Sequence, residues 1–269
     1  MPAKRARRDS SGGQIRRRQV KRYGWIPDLP DRRDRIYEAP LAALGPLPPR
    51  VDLRKTCPPV YNQGLLGSCT AHAIAGALEF DQMKQAQSDI FIPSRLFIYY
   101  NERVMEGTVD EDAGAMIRDG IKSVAKLGAP HEALWPYVIP KFRARPSKPS
   151  YTDALLHQAV LYQRLIPTRD QLRGCLADGY PFVFGFSVYE NFESQAVTTT
   201  GRVPMPKPTE RLLGGHAVLA VGYEEKVRRF IVRNSWGELW GRKGYFTMPY
   251  EFLLDPNLCD DFWKITLIE

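Results

Sequence analysis

The 269-residue chain has only four cysteines, Cys57, Cys69, Cys175 and Cys259. If Cys69 is a working thiol, three remain, so at most one disulfide can form within the chain. That number excludes a small fold held together by disulfides. We favour reduced, buried cysteine for the other three. The cysteine content is compatible with a location inside the cell and with export into a compartment that is not strongly oxidising.

Several other features are missing as well. No apolar run approaches the length of a membrane span, and the basic start is not followed by the apolar segment of a secretory signal, so localisation stays undetermined.

Among the four histidines, only His72 lies at tight ligand spacing from a cysteine, Cys69, and helical periodicity explains that pair. We therefore expect no metal site, and because no phosphate-binding glycine loop precedes a helix, no cofactor.

Acidic residues are almost missing from residues 1–22, which hold nine Lys or Arg and the single acid Asp9. Their net charge of +8 equals that of the whole chain, so the remaining 247 residues sum to zero. With few apolar residues to bury, this basic tail is predicted to be disordered. A solvated tail without a partner is one interpretation; contact with an anionic surface or nucleic acid is the other.

Apolar residues make up 43% of the chain, enough for a substantial core. Residues 23–48 mix aromatic anchors with prolines, which predicts an extended segment packed on the body. Pro46, Pro48 and Pro49 mark the boundary to a domain over residues 49–269. We expect a monomer.

The first half of that domain reads as helical and the second as strands. Apolar spacing and caps, including Ser68 as an N-cap, predict helices over residues 69–87, 94–105, 115–127 and 168–178. Short apolar or alternating runs predict strands over residues 160–166, 182–188, 216–223, 229–234, 244–248 and 262–267, with a long loop over residues 191–213. The pattern predicts an α+β fold of two lobes, about 52–145 and 150–269, with a cleft between them.

Cys69 opens the first helix, where the helix dipole and free N–H groups favour a thiolate. A histidine would stabilise the thiolate and protonate a leaving amine, and a third group would orient the imidazole. His216 follows two glycines at the start of an apolar strand, and Asn234 can accept from its ring. His72 stands beside Cys69 on the same helix and is assigned a structural role. His131 and His157 lie in mixed segments without an organised setting.

Three stretches together resemble the papain-like cysteine proteases of the C1 family: QGLLGSC at residues 63–69, GGHAV at residues 214–218 and NSWGELWGRKGY at residues 234–245. The resemblance covers about residues 50–269. It implies a helical left lobe, a β-barrel-like right lobe and peptide substrates. Residues 23–48 resemble the short N-terminal pro-segment of some bacterial members.

The resemblance also implies roles for individual residues. Cys69 would be the nucleophile that forms a thioester, His216 the base and acid, Asn234 the orienting group and Gln63 an oxyanion donor. Trp236 would shield the pair of His216 and Asn234 from water. The backbone at three glycines is expected to line the substrate cleft: Gly114, Gly214 and Gly215. Gly114 alternatively reads as a plain glycine at the start of a helix.

Two positions depart from the family pattern. Leu66 stands where relatives usually have a disulfide-forming cysteine, and Thr70 stands where a tryptophan usually follows the nucleophile. The departures leave the four catalytic positions filled, but they remove the disulfide that stabilises relatives. Because relatives are made as zymogens, we hypothesise that residues 23–37 lie across or beside the cleft and restrain activity. A strap packed away from the cleft is the alternative.

Other classes of function remain to be weighed. A catalytically silent module that binds peptides through the same groove is disfavoured because every catalytic position is filled. Acyl transfer to amines is less favoured still, since such relatives usually have aspartate at the position of Asn234. Neither endopeptidase nor exopeptidase activity is preferred from the sequence.

Overall fold

The computed structural model describes residues 23–40, 45–86, 89–158 and 160–267. The basic tail predicted over residues 1–22 lies outside the described residues. Within the described part, the α-helices are α1 (Cys69–Lys84), α2 (Arg95–Glu106), α3 (Ile117–Leu127), α4 (Lys148–Ala154), α5 (Arg169–Ala177), α6 (Gln195–Thr200) and α7 (Tyr250–Leu254). The strands are β1 (Trp25–Ile26), β2 (Ile36–Tyr37), β3 (Arg50–Asp52), β4 (Ala115–Met116), β5 (Val160–Leu165), β6 (Phe182–Tyr189), β7 (Leu212–Glu224), β8 (Arg229–Arg233), β9 (Tyr245–Pro249) and β10 (Cys259–Leu267).

Helix α1 lies at the centre of the molecule and is buried along most of its length. Its small residues, such as Ala71, Ala75 and Gly76, are buried and let neighbouring elements approach the helix closely. Helices α2 and α3 pack on one side of it, and strands β7 and β10 pack on the other. The helix therefore ties the helical half of the chain to the sheet.

The large sheet has the strand order β2-β5-β10-β6-β7-β8-β9, with β3 paired to β7. Its pairs are antiparallel except for β2 with β5. Because side chains alternate along a strand, β6 sends Phe182 and Phe184 into one core and Val183 into another. The first core fills the β-rich half, and the second lies between the sheet and α1. The predicted α+β fold is confirmed.

Several local predictions were wrong. Residues 191–213 are not a plain loop, because they contain α6 and the start of β7 at Leu212. His216 therefore lies inside β7 and does not begin it. Helix α3 starts at Ile117, after the short strand β4. Ser68 makes no side-chain capping bond to α1, since its hydroxyl bonds elsewhere.

The N-terminal segment is extended and belongs to the fold. Strand β1 pairs in parallel with β4, and β2 pairs in parallel with β5 at the edge of the large sheet. Tyr37 and Ala39 are buried in the core of the β-rich half. No helix in the described residues is long and apolar enough to cross a membrane. All four cysteines are free thiols.

Candidate active site

Cys69 is the first residue of α1, at the end of the helix where backbone N–H groups point outward. Its side chain is fully buried. The sulfur accepts a hydrogen bond from the backbone N–H of Ala217, with 3.3 Å between Ala217 N and Cys69 Sγ. Since Ala217 follows His216 on β7, this contact brings together the two halves of the predicted site, 148 residues apart in the chain.

His216 is held in a fixed orientation by Asn234. The ring nitrogen Nε2 lies 2.9 Å from Asn234 Oδ1, and both side chains are buried. Because a carbonyl oxygen only accepts, Nε2 donates, and Nδ1 is the nitrogen that can exchange a proton with a nucleophile. The indole of Trp236 covers the imidazole with 4.8 Å between the ring centroids. Trp236 therefore lies over the His216 ring, and its shielding role stays a prediction.

Gln63 is also fully buried, and its amide is oriented by the segment that follows Asn234. Its Oε1 accepts from the Ser235 hydroxyl at 2.6 Å and from Trp236 Nε1 at 3.1 Å. The amide nitrogen must then point the other way, and it donates to Leu66 O at 2.9 Å. An amide nitrogen carries two protons, so Gln63 can donate a second hydrogen bond from this position.

His72 occupies a different environment from His216. It stays on α1, where its Nδ1 lies 2.9 Å from the carbonyl oxygen of Ser68. The Ser68 hydroxyl in turn bonds the Tyr137 hydroxyl at 2.6 Å, which explains why it does not cap the helix. Burial, with a smaller effect of Arg95, lowers the pKa of His72 to about 3, so the ring is neutral at ordinary pH.

The N-terminal segment contacts Gly67, two residues before the nucleophile. Gly24 lies against Gly67: a Cβ atom on Gly24 would be 1.7 Å from the Gly67 carbonyl oxygen. The carbonyl of Gly24 accepts from Ala115 N at 2.7 Å. A Cβ on Gly114 would lie 2.3 Å from the oxygen of Gly24, and Gly114 has φ +82°, so only glycine fits there.

The two glycines before His216 contact the same segment. A Cβ on Gly214 would lie 2.8 Å from Tyr23 Cβ, and one on Gly215 would lie 2.5 Å from Trp25 O. The Tyr23 ring is 6.2 Å from the His216 ring, and its hydroxyl donates to the Glu193 carboxylate. All three glycines predicted to line a substrate cleft therefore contact residues 23–25.

A buried group of charges anchors this segment. Trp25 Nε1 and Asp28 N donate to Asp261 Oδ2 at 3.0 and 2.8 Å. The Asp28 carboxylate accepts from Arg118 N at 3.0 Å and Trp263 Nε1 at 2.9 Å. Burial raises the pKa of Asp28, and burial together with the Asp28 charge raises the pKa of Asp261 to about 7.

The anchor extends through one further ion pair, in which Arg118 lies 2.5 Å from Asp34 with both side chains almost fully buried. Sequence reasoning missed these carboxylates, and the only signal for them was the aromatic and proline pattern of the segment. Acidic residues in a charged stretch resemble an ordinary solvated surface.

Comparison with known proteins agrees with this geometry. A family model described as papain family cysteine protease matches residues 47–259. A peptidase C1-like protein of Acanthamoeba polyphaga mimivirus is 45% identical over 267 residues, covering 90% of this chain and 86% of its own. Pro-cathepsin H of Bos taurus is 30% identical over 77% of this chain, which spans 61% of that protein.

Solved structures give the same result. The crystal structure of xylellain, a cysteine protease from Xylella fastidiosa, is 46% identical with a TM-score of 0.87, covering 94% of this chain and 98% of its own. Recombinant stem bromelain precursor is 18% identical with a TM-score of 0.67, covering 88% and 76%; at that identity it supports the fold alone. The papain-like fold is thus confirmed, and the chain belongs to the papain family of cysteine proteases, which are hydrolases of peptide bonds.

Proposed function

We propose that Cys69 is the nucleophile of this peptidase and that His216, Asn234 and Gln63 complete its catalytic group. The observation that carries the proposal is the pair of contacts from Cys69 Sγ to Ala217 N at 3.3 Å and from His216 Nε2 to Asn234 Oδ1 at 2.9 Å. These contacts support the proposal, because they join a thiol at a helix N-terminus to the strand that carries an oriented imidazole.

The chemistry follows in two halves. The Cys69 thiolate attacks the carbonyl carbon of the peptide bond, a C–S bond forms, and the C–N bond breaks as the imidazolium of His216 protonates the leaving amine. The product is a thioester and a free amine. Water then attacks the thioester while His216 takes its proton, which releases a carboxylic acid and restores the thiol.

Negative charge develops on the carbonyl oxygen during both attacks. The backbone N–H of Cys69 is one of the first amide groups of α1 and needs no partner within the helix. The second proton of Gln63 Nε2 is the other donor we assign to this oxygen. Donors that are already oriented before the reaction stabilise the transition state without reorganising, which is the largest single term in many acyl transfers.

We assign the backbone at Gly114, Gly214 and Gly215 to binding of an extended peptide. Residues 23–25 now occupy that space, with Gly24 bonded to Ala115 N at 2.7 Å. The Trp25 ring fills a pocket in which a Cβ on Gly185 would lie only 2.0 Å away. When the segment leaves, a substrate side chain can enter the same pocket. Trp236 keeps its covering position over His216.

We further propose that residues 23–34, called the leader below, hold the enzyme inactive. Cys69 and His216 are both fully buried while the leader is in position, so no peptide can reach the sulfur. The leader belongs to the longer pro-segment predicted over residues 23–48. The later part of that pro-segment, including Tyr37 and Ala39, belongs to the core, and we assign it a structural role.

We infer from the direction of the leader that it would resist cleavage in this position. A leaving amine takes its proton from His216, so the C-terminal side of a substrate lies beside that ring. In the leader, the residue beside His216 is Tyr23, which is N-terminal to Gly24 and Trp25. The leader therefore runs opposite to the direction that a productive substrate needs.

The test compares the full chain with a chain that begins at residue 35, each with a Cys69→Ala control, on a mixed set of fluorogenic peptides. Starting at residue 35 keeps β2, whose pairing with β5 supports the edge of the sheet. We expect hydrolysis by the shorter chain alone, abolished by the substitution. Equal activity of both chains would overturn the restraint but keep the peptidase. Activity that survives Cys69→Ala would overturn the catalytic assignment.

A further inference from the structure

A second cluster of reactive side chains lies in the helical half, away from the cleft. His131 follows α3, Asp153 is on α4 and His157 is in the turn after α4. One ligand atom from each, two ring nitrogens and a carboxylate oxygen, all lie within 4.8 Å of one another. Asp153 and His157 are four residues apart, a spacing that puts two side chains on one side of a helical turn.

The cluster is organised by contacts that hold metal ligands in other proteins. Asp153 Oδ2 accepts from both the backbone N–H and the ring Nδ1 of His131, each at 2.9 Å. The other ring nitrogen of His131 lies 3.3 Å from the Asp89 carboxylate. A histidine that binds a metal commonly has a carboxylate on its second nitrogen, and His131 has one on each side.

His157 supplies the observation that points to a ligand. Its Nε2 is buried and has no hydrogen-bond partner among the residues that the structure describes. A buried ring nitrogen without a partner loses its hydrogen bond to water and gains nothing in return. The Phe91 ring lies over both imidazoles, 4.0 Å from that of His131 and 4.4 Å from that of His157. It shields the cluster from solvent on that side.

We propose that His131, Asp153 and His157 form a binding site for a divalent transition metal, with Zn²⁺ as the ion of choice. Two imidazoles and one carboxylate are a typical zinc ligand set, whereas calcium and magnesium prefer oxygen alone. Zinc bonds of 2.0–2.1 Å place tetrahedral donor atoms roughly 3.3 Å apart, so the three side chains close in by an ångström or so on binding. Water takes the fourth position, while Asp89 stays on the other ring nitrogen of His131.

The metal would act on stability and not on the chemistry at Cys69. It joins the segment after α3 to α4 and the turn that follows, which are separate in sequence. Binding displaces the proton from the ligating nitrogen of His131 into solvent, because a ligand must present a lone pair. This metal site could not be predicted from the sequence, since the spacing of residues 131, 153 and 157 resembles no metal-binding motif considered there.

The experiment uses the full chain carrying Cys69→Ala, which removes the catalytic thiol as a competing zinc ligand. Zn²⁺ is titrated by calorimetry, and thermal unfolding is followed with Zn²⁺ and with EDTA. We expect one saturable site and a higher melting temperature with Zn²⁺. His157→Gln should weaken binding by about tenfold or more. Asp153→Asn, which keeps an acceptor for His131, should do the same, whereas Asp170→Asn on α5 should change nothing.

Co²⁺ then reports the ligand type. A visible spectrum of a nitrogen and oxygen site, without sulfur charge transfer, supports the proposal, whereas a sulfur signal would overturn it by pointing to another cysteine. Absence of saturable Zn²⁺ binding, or equal binding by His157→Gln and Asp153→Asn, would also overturn it. Each variant is first compared with its parent in EDTA, so that a folding defect is recognised.

Discussion

The cleft and the leader anchor are adjacent but are built from different interactions. In the cleft, the contacts that fix geometry are between amides, hydroxyls and rings, as in the bonds of Gln63 Oε1 to Ser235 and Trp236. In the anchor, Asp28, Asp261 and Arg118 carry the contacts, and they are charged or shifted in pKa. We therefore expect changes in pH or charge to affect mainly how firmly the leader is held. Loss of a single amide contact should affect mainly the rate of catalysis.

The largest effect should come from Gln63 in the cleft. Gln63→Ala removes the side-chain donor that we assign to the oxyanion, and kcat should fall by about 10²- to 10³-fold with little change in KM. The measurement is steady-state hydrolysis by the chain beginning at residue 35. Gln63→Glu is the sharper variant, because it keeps the acceptor for Ser235 and Trp236 but loses the donor.

If Gln63→Glu retained the parent kcat, the side-chain donor would be unnecessary. That result would contradict the role of Gln63 in stabilising the oxyanion. A loss in Gln63→Ala alone would show that Gln63 only supports the packing of Trp236. Both variants need an unchanged melting temperature to be interpreted.

A smaller loss should follow substitution of Asn234. Asn234→Ala leaves His216 in place but frees the ring to rotate, and misorientation of a catalytic group costs about 10²-fold. Asn234→Asp keeps an acceptor and should recover part of the rate. Hydrolysis at several pH values checks this, and equal kcat for Asn234→Ala and the parent would exclude an orienting role.

The anchor should respond to pH in a defined direction. The pKa of Asp261, near 3.8 in an unfolded chain, is raised to about 7 in the folded one. Between these values the folded chain holds the proton and the unfolded chain does not, so stability falls as pH rises from about 4 to 7. The contribution is on the order of a few kcal/mol.

Urea unfolding of the parent and of Asp261→Asn across that range isolates this contribution. The fall with rising pH should be smaller in the variant than in the parent, because Asp28 and Glu106, whose pKa values are also raised, still contribute to it in both chains. The pKa of buried His72 is lowered to about 3, so His72 makes stability rise with pH. This effect is the same in both chains and cancels when their free energies of unfolding are subtracted. Parallel pH profiles of parent and variant would contradict the account of the anchor.

The smallest effects are expected at the remaining cysteines. Burial raises the pKa of Cys57 to about 11 and that of Cys175 to about 12, and it raises the pKa of Cys259 as well. At pH 8 a thiol with a pKa near 11 is ionised to about one part in a thousand. Alkylation followed by peptide mass spectrometry should find these three unmodified under native conditions. Rapid labelling of Cys175 in the folded chain would contradict the assignment.

Much of the site was readable from the sequence, because the peptidase motifs specify local geometry. The buried strand β7 and helix α1 have strong apolar patterns, so Cys69 and His216 could be assigned to them from the sequence alone. The α+β class followed in the same way from the division between helical and alternating segments. The position of Gln63 was predicted only through the family resemblance, since a lone glutamine carries no pattern.

The rest depended on contacts between segments distant in sequence. Pairing of Asp28 with Asp261 and of His131 with His157 is determined by how loops pack, and no periodicity records it. Ser68 was wrongly predicted to cap α1, since the competing partner Tyr137 lies 69 residues away. Helix α6 was missed because its short Thr-rich sequence has weak helical propensity.

The most direct test of the account is to admit a probe to Cys69 by changing Gly24 alone. In the full chain, a Cβ at Gly24 would lie 1.7 Å from the Gly67 oxygen, so Gly24→Ala cannot keep the leader in position. A clash of this kind costs about 1–3 kcal/mol, and each 1.4 kcal/mol is a factor of ten. Leu29→Ala, at an exposed leader position, is the matched control.

The measurement is the rate at which an epoxide probe labels Cys69, read by mass spectrometry. We expect slow labelling in the parent and in Leu29→Ala, and labelling about tenfold faster or more in Gly24→Ala. Equal rates in all three chains would contradict the claim that the leader restrains a reactive thiol.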